Sequence, residues 1–410
     1  MRPAHAVMVL LATAPVSVGA VQEATLEARG MAVITSRCGA CHGVTIESRC
    51  VAGDCAARSH AIEPRPWSLV LSWMRAMGCR MSDDERSDLE RFLTARYSKV
   101  SAMAWEPLEP APQGWNVVAL RSFRGRLYAG IEGAGSALQL VDGRSWRPVL
   151  TTDAYTVYGL MTFRDRLFAG TNQPSAEVWS SGDGERWTRE AVLPPEERGI
   201  IALGVFGDAL YAGTTRGRVY RTTDGRAWAL SGTLLANAEN GFANWVRFLI
   251  AFNGRLYAGI EGAGVFTSRD GTVWTPARGT SGPFMGVRAA AVSDERLYVG
   301  TTSRGEIWRT SGNDVWERVY GTTASHGART GYVASMAGAA DGLFASVNGR
   351  VLRSRDGRSW DEVGDLTPFT VEALHAFGGA LYAGTAMPPR AWIYRAALDA
   401  ASPRRAPATP

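Results

Sequence analysis

From residue 105 onward, short apolar runs alternate with glycine, asparagine and aspartate, a pattern that predicts β-strands joined by tight turns. A hexapeptide recurs along this region. It starts with Gly, Asp or Glu and continues with a sequence close to Arg-Leu-Tyr-Ala-Gly. Its seven copies are spaced 38 to 46 residues apart and begin at Gly125, Asp165, Asp208, Gly254, Glu295, Asp341 and Gly379. Each unit contains an apolar strand, the Leu-Tyr-Ala-Gly strand, a third strand and a fourth that starts at a tryptophan after an Asp-Gly turn. The sequence therefore predicts seven four-stranded units.

The last unit lacks a fourth strand of its own, and a matching segment lies upstream. Trp105-Glu-Pro-Leu108 resembles Trp146-Arg-Pro-Val149 of the first unit. Because the period is that of propeller blades, we predict an all-β seven-bladed propeller over residues 103–396. Residues 103–108 would complete the blade that begins at Phe369 and leave no open sheet edge. Residues 397–410 are rich in alanine and proline and are predicted to be a disordered tail.

A second motif recurs in the turns between the third and fourth strands. Ser/Thr-x-Asp-Gly-x-x-Trp occurs at Ser181, Thr222, Ser268 and Ser354. It resembles the Asp-box turns of sialidase-type and sortilin-type propellers, although it is one residue shorter. In those families the box braces this turn. The resemblance implies a structural role for four aspartates, Asp183, Asp224, Asp270 and Asp356. Blade five departs from the motif, with Ser311-Gly-Asn-Asp-Val-Trp316 in its place.

Before residue 98 the apolar spacing changes to that of α-helices. Ser82-Asp-Asp-Glu85 is a capping box, and it precedes one of three predicted helices. The apolar positions of these helices are Leu26, Gly30, Val33 and Ile34; Val70, Met74 and Met77 after Trp67; and Leu89, Phe92, Leu93 and Tyr97. We predict a small all-α domain over residues 21–98. Residues 1–20 have the form of an export signal cleaved before Val21, which predicts a periplasmic or secreted protein without a membrane span after cleavage.

The motif Cys38-Gly-Ala-Cys41-His42 indicates the chemistry of the helical domain. C-x-x-C-H is the attachment signature of a c-type haem, in which both thiols bond to the haem and the histidine ligates the iron. We therefore predict one covalently attached haem c, bound by Cys38, Cys41 and His42. A sixth iron ligand is also expected. The residue types near the motif leave its identity open among Met74, Met77, Met81 and His60, with an open sixth position as the remaining alternative.

These residues lead to a family resemblance. The segment from Gly30 to His42, and the pattern of Trp67, Met74, Gly78, Ser82-Asp83-x-Glu85 and Phe92-Leu93, resemble small class I monohaem cytochromes c, with the cytochrome partner of sulfite dehydrogenase as the most similar type. The resemblance implies that Met74 is the distal ligand, so that His42 and Met74 would hold the iron.

This chain departs from the cytochrome pattern by an insertion that contains two cysteines. Cys50, Cys55 and Cys79 remain after the haem thiols are assigned, and they allow one disulfide. A clip between Cys50 and Cys55 is favoured by the short loop with Gly53 and Asp54 between them. Pairing of either one with Cys79 is the alternative.

The charge and the histidine content say little about the function of the propeller. The formal net charge of +5 is spread over 410 residues, and no basic cluster suggests nucleic acid. His326 and His375 lack metal-ligand spacing, so we expect a solvated loop residue and a packed strand residue. Glu132 and Glu261 occupy equivalent Ile-Glu-Gly-Ala-Gly loops. They either converge at the mouth of the central channel or were simply inherited with the repeat.

Three functions are compatible with these features. The first is an exported monohaem cytochrome c that transfers single electrons without catalysis, while its propeller docks a redox partner protein. The second is an oxidoreductase whose propeller oxidises a small molecule and passes electrons to the haem. In the third, the propeller is a scaffold or assembly protein with a ligand or protein on one face, as in the photosystem assembly propellers that similarly carry Asp-box turns.

Overall fold

The computed structural model describes residues 82–89, 103–235, 244–278, 286–302, 304–321, 331–367, 369–386 and 390–398. The chain divides into two units, Met1–Lys99 and Val100–Pro410. In the first unit, residues 83–89 form a helix. The predicted capping box starts it: the Ser82 amide donates to Glu85 Oε2 at 2.8 Å, and the Glu85 amide donates to Ser82 Oγ at 3.1 Å. The rest of the predicted cytochrome domain lies outside the described residues.

The described residues of the second unit form 28 antiparallel strands in seven four-stranded blades. Strand β1 is Trp105–Pro107, and it belongs to blade seven. Blades one to three contain β2 (Asn116–Phe123), β3 (Arg126–Glu132), β4 (Ser136–Val141), β5 (Ser145–Thr151), β6 (Thr156–Phe163), β7 (Arg166–Asn172), β8 (Glu177–Ser181), β9 (Thr188–Val192), β10 (Ile200–Phe206), β11 (Ala209–Thr214), β12 (Arg218–Thr222) and β13 (Ala229–Thr233). Blades four to seven contain β14 (Val246–Phe252), β15 (Arg255–Ile260), β16 (Gly264–Ser268), β17 (Thr275–Pro276), β18 (Val287–Ser293), β19 (Arg296–Thr301), β20 (Ile307–Thr310), β21 (Glu317–Tyr320), β22 (Val333–Ala339), β23 (Gly342–Val347), β24 (Arg350–Ser354), β25 (Asp361–Asp365), β26 (Thr370–Phe377), β27 (Ala380–Ala386) and β28 (Ile393–Ala397).

Blade seven is completed by the N-terminal strand β1. Trp105 pairs with Ala396 and Glu106 with Arg395, so β1 runs antiparallel to β28. An ion pair between Arg395 Nη2 and Glu106 Oε2, at 2.6 Å, fastens the same two strands. The ring of blades is therefore closed by strand pairing between distant parts of the sequence.

The C-terminal boundary differs from the sequence expectation. Strand β28 extends to Ala397, and the Leu398 amide donates to the Gly379 carbonyl at 2.9 Å. Residues 397 and 398 thus belong to blade seven, because they satisfy the backbone groups of the neighbouring strand β27. The remainder of the predicted tail, 399–410, lies outside the described residues.

Glycine at the end of the repeated hexapeptide lets adjacent blades touch. A Cβ atom on Gly130 would lie 2.3 Å from the Val157 carbonyl oxygen of the next blade, and one on Gly213 would lie 2.5 Å from Val246 Cγ1. Blade six carries Ser346 instead, and its hydroxyl donates to the Val371 carbonyl of blade seven at 2.8 Å. The small residue at the end of these copies therefore permits close contact between blades.

The Asp-box turns pack on the preceding blade. Gly184, at φ +81°, lies so close to the Tyr128 hydroxyl that any side chain would collide with it. Ser181 Oγ accepts from the Gly184 amide at 2.8 Å. Asp183 Oδ1 accepts from the next two amides, those of Glu185 at 2.9 Å and Arg186 at 2.8 Å. These bonds brace the turn, as the resemblance to Asp-box propellers implied.

The other boxes repeat this arrangement. Backbone hydrogen bonds from Arg226 and Ala227 lower the pKa of Asp224 to about 2, so this turn is held by an ionised carboxylate at neutral pH. Equivalent bonds form at Asp270 and Asp356. In the degenerate turn of blade five, Asn313 Oδ1 accepts from the Val315 amide at 3.3 Å. We call the face that carries these turns the turn face.

Replacing Gly213 by alanine is expected to lower the free energy of unfolding by about 1–3 kcal/mol, because the added methyl group overpacks the contact with Val246. Urea denaturation of the full chain measures this change. Gly182→Ala is the matched control, since no atom lies within 4 Å of its added Cβ and its φ is not positive. Equal stability of the two variants would contradict the packing role of the repeat glycine.

Candidate functional site

Every inner strand of the ring carries a β-bulge at the same position. The register shifts by one residue opposite the end of the repeated hexapeptide in all seven blades. A bulge leaves one residue outside the ladder and redirects its side chain. The seven bulge residues are Val118, Tyr158, Ile201, Arg247, Arg288, Ala334 and Glu372, and all seven line a central cavity of about 250 Å³.

Four of the bulge residues are polar, and they belong to a larger group at the end of the channel opposite the turn face. We call this group the mouth cluster; it consists of Glu132, Tyr158, Arg247, Glu261, Arg288, Tyr332 and Glu372. Arg247 Nε donates to Glu261 Oε2 at 2.6 Å. Arg288 pairs with Glu372, and its Nη1 also lies 3.9 Å from Glu261 Oε1. Both guanidinium groups therefore have carboxylate partners.

Aromatic rings hold these ion pairs in place. The Arg247 guanidinium lies 4.5 Å from the Trp245 ring centroid, and that of Arg288 lies 5.4 Å from the Tyr332 centroid. Tyr158 packs edge-on against Trp245 at 5.7 Å between ring centroids. Side chains fixed in this way lose little conformational entropy on binding a ligand.

Tyr332 contributes a hydrogen bond as well as its ring. Its hydroxyl donates to Glu372 Oε1 at 2.8 Å. Burial and the Glu372 carboxylate raise the pKa of Tyr332 to about 12. Burial also raises the pKa of Tyr158. Both phenols therefore remain protonated near neutral pH, and Tyr332 acts as a donor beside the charged groups.

Glu132 differs from the other two carboxylates of the mouth cluster. Its Oε2 accepts from Asn116 Nδ2 at 2.7 Å, and among the described residues no arginine lies within ion-pair distance of it. Burial raises the pKa of Glu132, and the charge of Glu372 acts in the same direction against the influence of the two arginines. The equivalent loops of blades one and four thus both place a carboxylate within electrostatic reach of Arg247 and Arg288.

The other predicted residues have simpler surroundings or lie outside the described residues. His375 Nε2 accepts from the Ser122 amide at 3.1 Å, and burial lowers the pKa of His375 to about 4, as suits a packed neutral strand residue. His326 and the four predicted haem residues, Cys38, Cys41, His42 and Met74, lie outside the described residues, as do Cys50, Cys55 and Cys79. Within the described ranges no three His, Cys, Asp or Glu side chains are grouped to hold a metal. No helix there is long and apolar enough to cross a membrane.

Sequence reasoning found Glu132 and Glu261 but missed the arginines, tyrosines and Glu372. A signal for the bulge residues is present in the repeat. Each of the seven bulge residues lies twelve positions before the last residue of its hexapeptide, as Arg247 does before Gly259. At this position of the repeat, charged, aromatic and aliphatic residues occur in different blades, whereas the position before it is valine or isoleucine throughout.

Comparison with known proteins identifies the architecture. No protein-family model and no curated protein matches the sequence. Among solved structures, YCF48 bound to a D1 peptide is similar, with a TM-score of 0.55, 18% identity and coverage of 72% of this chain and 97% of that one. Virginiamycin B lyase from Staphylococcus aureus gives a TM-score of 0.58, 13% identity and coverage of 72% and 99%. The chain contains a β-propeller.

The WD40 repeats of RRP9 are similar as well, with a TM-score of 0.52, 12% identity and coverage of 72% of this chain and 100% of that one. At such low identity the three likenesses concern the fold alone. A propeller solved with a bound peptide, a lyase and a WD40 protein differ in what they bind or do, so the function of this propeller has to be argued from its own mouth cluster.

Arg288→Met is expected to lower the free energy of unfolding by about 3–5 kcal/mol, because it leaves the Glu372 and Glu261 carboxylates partly buried without this counterion. Urea denaturation measures the change. The control is Arg186→Met, whose side chain is 93% exposed beside Asp183, and no measurable change is expected. A harmless Arg288→Met substitution would show that the mouth cluster is not held by this ion pair.

Proposed function

We propose that the propeller is a protein-binding scaffold that holds a segment of a partner protein against the mouth cluster. The observation that carries this proposal is the ring of bulge residues, which brings two arginines, a glutamate and a tyrosine from four blades to one cavity. The cavity is too small for a folded domain. Its volume of about 250 Å³ suits one or two side chains of an extended segment.

The surface beside the channel supports a segment longer than one residue. A second cavity of about 690 Å³ is lined by Gly133, Tyr155, Gln173, Pro174 and Arg198, next to the Glu132 loop. The Tyr155 side chain is 46% exposed there, and the Trp115 indole donates to its hydroxyl at 3.3 Å. Exposed aromatic residues that are already held by neighbours are favourable contact points for proteins.

The similarity to YCF48 is in line with this proposal, since that propeller has been solved with a D1 peptide bound. The comparison concerns proteins with the same architecture and 18% identity. It supports a protein segment as the class of ligand, and the particular partner is a separate question.

A photo-crosslinking residue in place of Tyr155 is expected to give a discrete adduct with another protein when the full chain is irradiated in the cells that make it. Tyr155 lies beside the mouth cluster, so a bound segment would pass within reach of it. Adducts are measured by gel mobility and mass spectrometry. The matched position is Val273, which is 67% exposed on the turn face and should give none. No adduct at Tyr155, or the same adducts at both positions, would contradict the proposal.

The C-x-x-C-H motif favours a second candidate function, single-electron transfer. We infer an exported monohaem c-type cytochrome in which Cys38 and Cys41 hold the haem, and His42 and Met74 ligate its iron. Redox encounters are usually small and transient. A propeller that docks the redox partner would raise its effective concentration near the haem, so the two proposals are compatible.

Coexpression of the full chain with an exported haem-maturation system is expected to give a c-type visible spectrum in both redox states. Carbon monoxide should leave the reduced spectrum unchanged, because Met74 would occupy the sixth position. Met74→Ala should open that position to carbon monoxide, whereas Met77→Ala should not. A chain without bound haem would refute the electron-transfer function, and carbon monoxide binding to the unaltered chain would refute the Met74 assignment.

A further inference from the structure

We propose that the mouth cluster binds the ammonium group of a lysine side chain in the partner segment, with Glu132 as its counterion. The proposal rests on the protein-binding function and specifies the chemistry that this site recognises. Three observations carry it: the charge balance of the cluster, the position of Glu132, and two buried oxygen atoms beside it.

The charge balance favours a cationic ligand. Three carboxylates, Glu132, Glu261 and Glu372, face two guanidinium groups, those of Arg247 and Arg288. When all five groups are ionised, the cluster has one negative charge in excess. Burial makes such an excess costly, as the raised pKa of Glu132 reflects. A bound cation would remove this cost.

The excess charge is located on Glu132. Glu261 and Glu372 each form an ion pair with an arginine, whereas Glu132 accepts a hydrogen bond from the neutral Asn116 amide. The Glu132 side chain is only half-buried, at the open end of the channel. A ligand that enters from the face opposite the turn face therefore reaches an ionisable group without a counterion among the described residues.

Two buried acceptors flank this carboxylate. Asn116 and Thr156 are the cross-strand partners of Glu132 in β2 and β6, and cross-strand partners carry their side chains on the same face of a ladder. The Asn116 side chain is 5% exposed and that of Thr156 is fully buried. Asn116 Oδ1 and Thr156 Oγ1 nevertheless have no hydrogen-bond partner. Both atoms therefore retain the capacity to accept a hydrogen bond from a donor placed against Glu132.

A lysine ammonium group matches this arrangement. It carries three N–H donors and no acceptor, so a carboxylate and two neighbouring oxygen atoms can satisfy it. The bidentate fork of an arginine would compete with Asn116 at Glu132 Oε2, and its five N–H donors exceed the three acceptors of this site. An acidic side chain would have to displace Glu261 or Glu372 from the arginines. A divalent cation prefers more than one carboxylate and would be repelled by Arg247 and Arg288.

The test uses the full chain and three dodecapeptides of glycine and serine that differ at one central residue, which is lysine, Nε-acetyl-lysine or glutamate. Saturation-transfer NMR at millimolar peptide concentration measures binding to each. The lysine peptide is expected to bind roughly ten-fold more tightly than the acetyl-lysine peptide, because acetylation removes the charge and two donors. Equal binding of the two, preference for the glutamate peptide, or no binding of the lysine peptide would overturn the proposal.

Variants of Glu132 separate the site from general attraction to a charged surface. Glu132→Gln retains the shape of the side chain and should reduce binding of the lysine peptide to the level of the acetyl-lysine peptide. Glu132→Asp retains the charge and should preserve the preference for lysine. Glu185→Gln, on the exposed turn face, is the control and should change nothing. Thermal unfolding confirms that each variant is folded. Unaltered lysine binding in folded Glu132→Gln would refute the role of Glu132.

The outcomes for the two proposals are distinguishable. An adduct at position 155 without a preference for the lysine peptide would retain the scaffold function and reject lysine recognition. Lysine binding that depends on Glu132, without any adduct at position 155, would retain the ammonium site and reject partner docking on that face.

Discussion

The contact on which the ring depends is the one between the second strand of a blade and the inner strand of the next. Its small residue, Gly130 or Gly213 for example, lets the backbone or a β-branched side chain of the neighbour approach within van der Waals distance. The neighbour is a fully buried valine or isoleucine, such as Val157 or Val246. Equivalent contacts form at Gly170, Gly300 and Gly384, whereas a Cβ atom on Gly259 would meet Phe248 of its own blade. Where the contact forms, close packing fixes the inner strand against the preceding blade.

The ring of bulge residues lies directly beside these contacts. The residue that follows the buried valine or isoleucine is the bulge residue, so its side chain is turned from the blade interface toward the central cavity. The interface leaves this side chain free to vary in chemistry. Arg247 and Arg288 can therefore lie beside Val246 and Val287 without disturbing the core. Glu261, from a neighbouring loop, and Glu372, itself a bulge residue, supply the carboxylates that offset their charge.

The two faces of the propeller differ in what their carboxylates bind. On the turn face, each Asp-box carboxylate accepts hydrogen bonds from the backbone amides of its own turn, as at Asp183 and Asp224. These groups stabilise local structure and are saturated. At the mouth cluster, charged groups from different blades depend on one another across the channel, and Glu132 is left with a neutral partner. The charged groups that depend on partners from other blades therefore lie at the mouth cluster.

The sequence by itself determined the number of blades, the closure by Trp105–Pro107 and the bracing turns, because these follow from local strand alternation, Asp-Gly turns and a period that appears seven times. It also identified Glu132 and Glu261 as equivalent positions. Only the tertiary structure decided which side chains meet. Arg288 and Glu372 lie 84 residues apart, and a one-residue bulge sends both toward the same cavity. Periodicity along a strand cannot reveal that redirection, because an extra residue reverses the alternation on which the pattern depends.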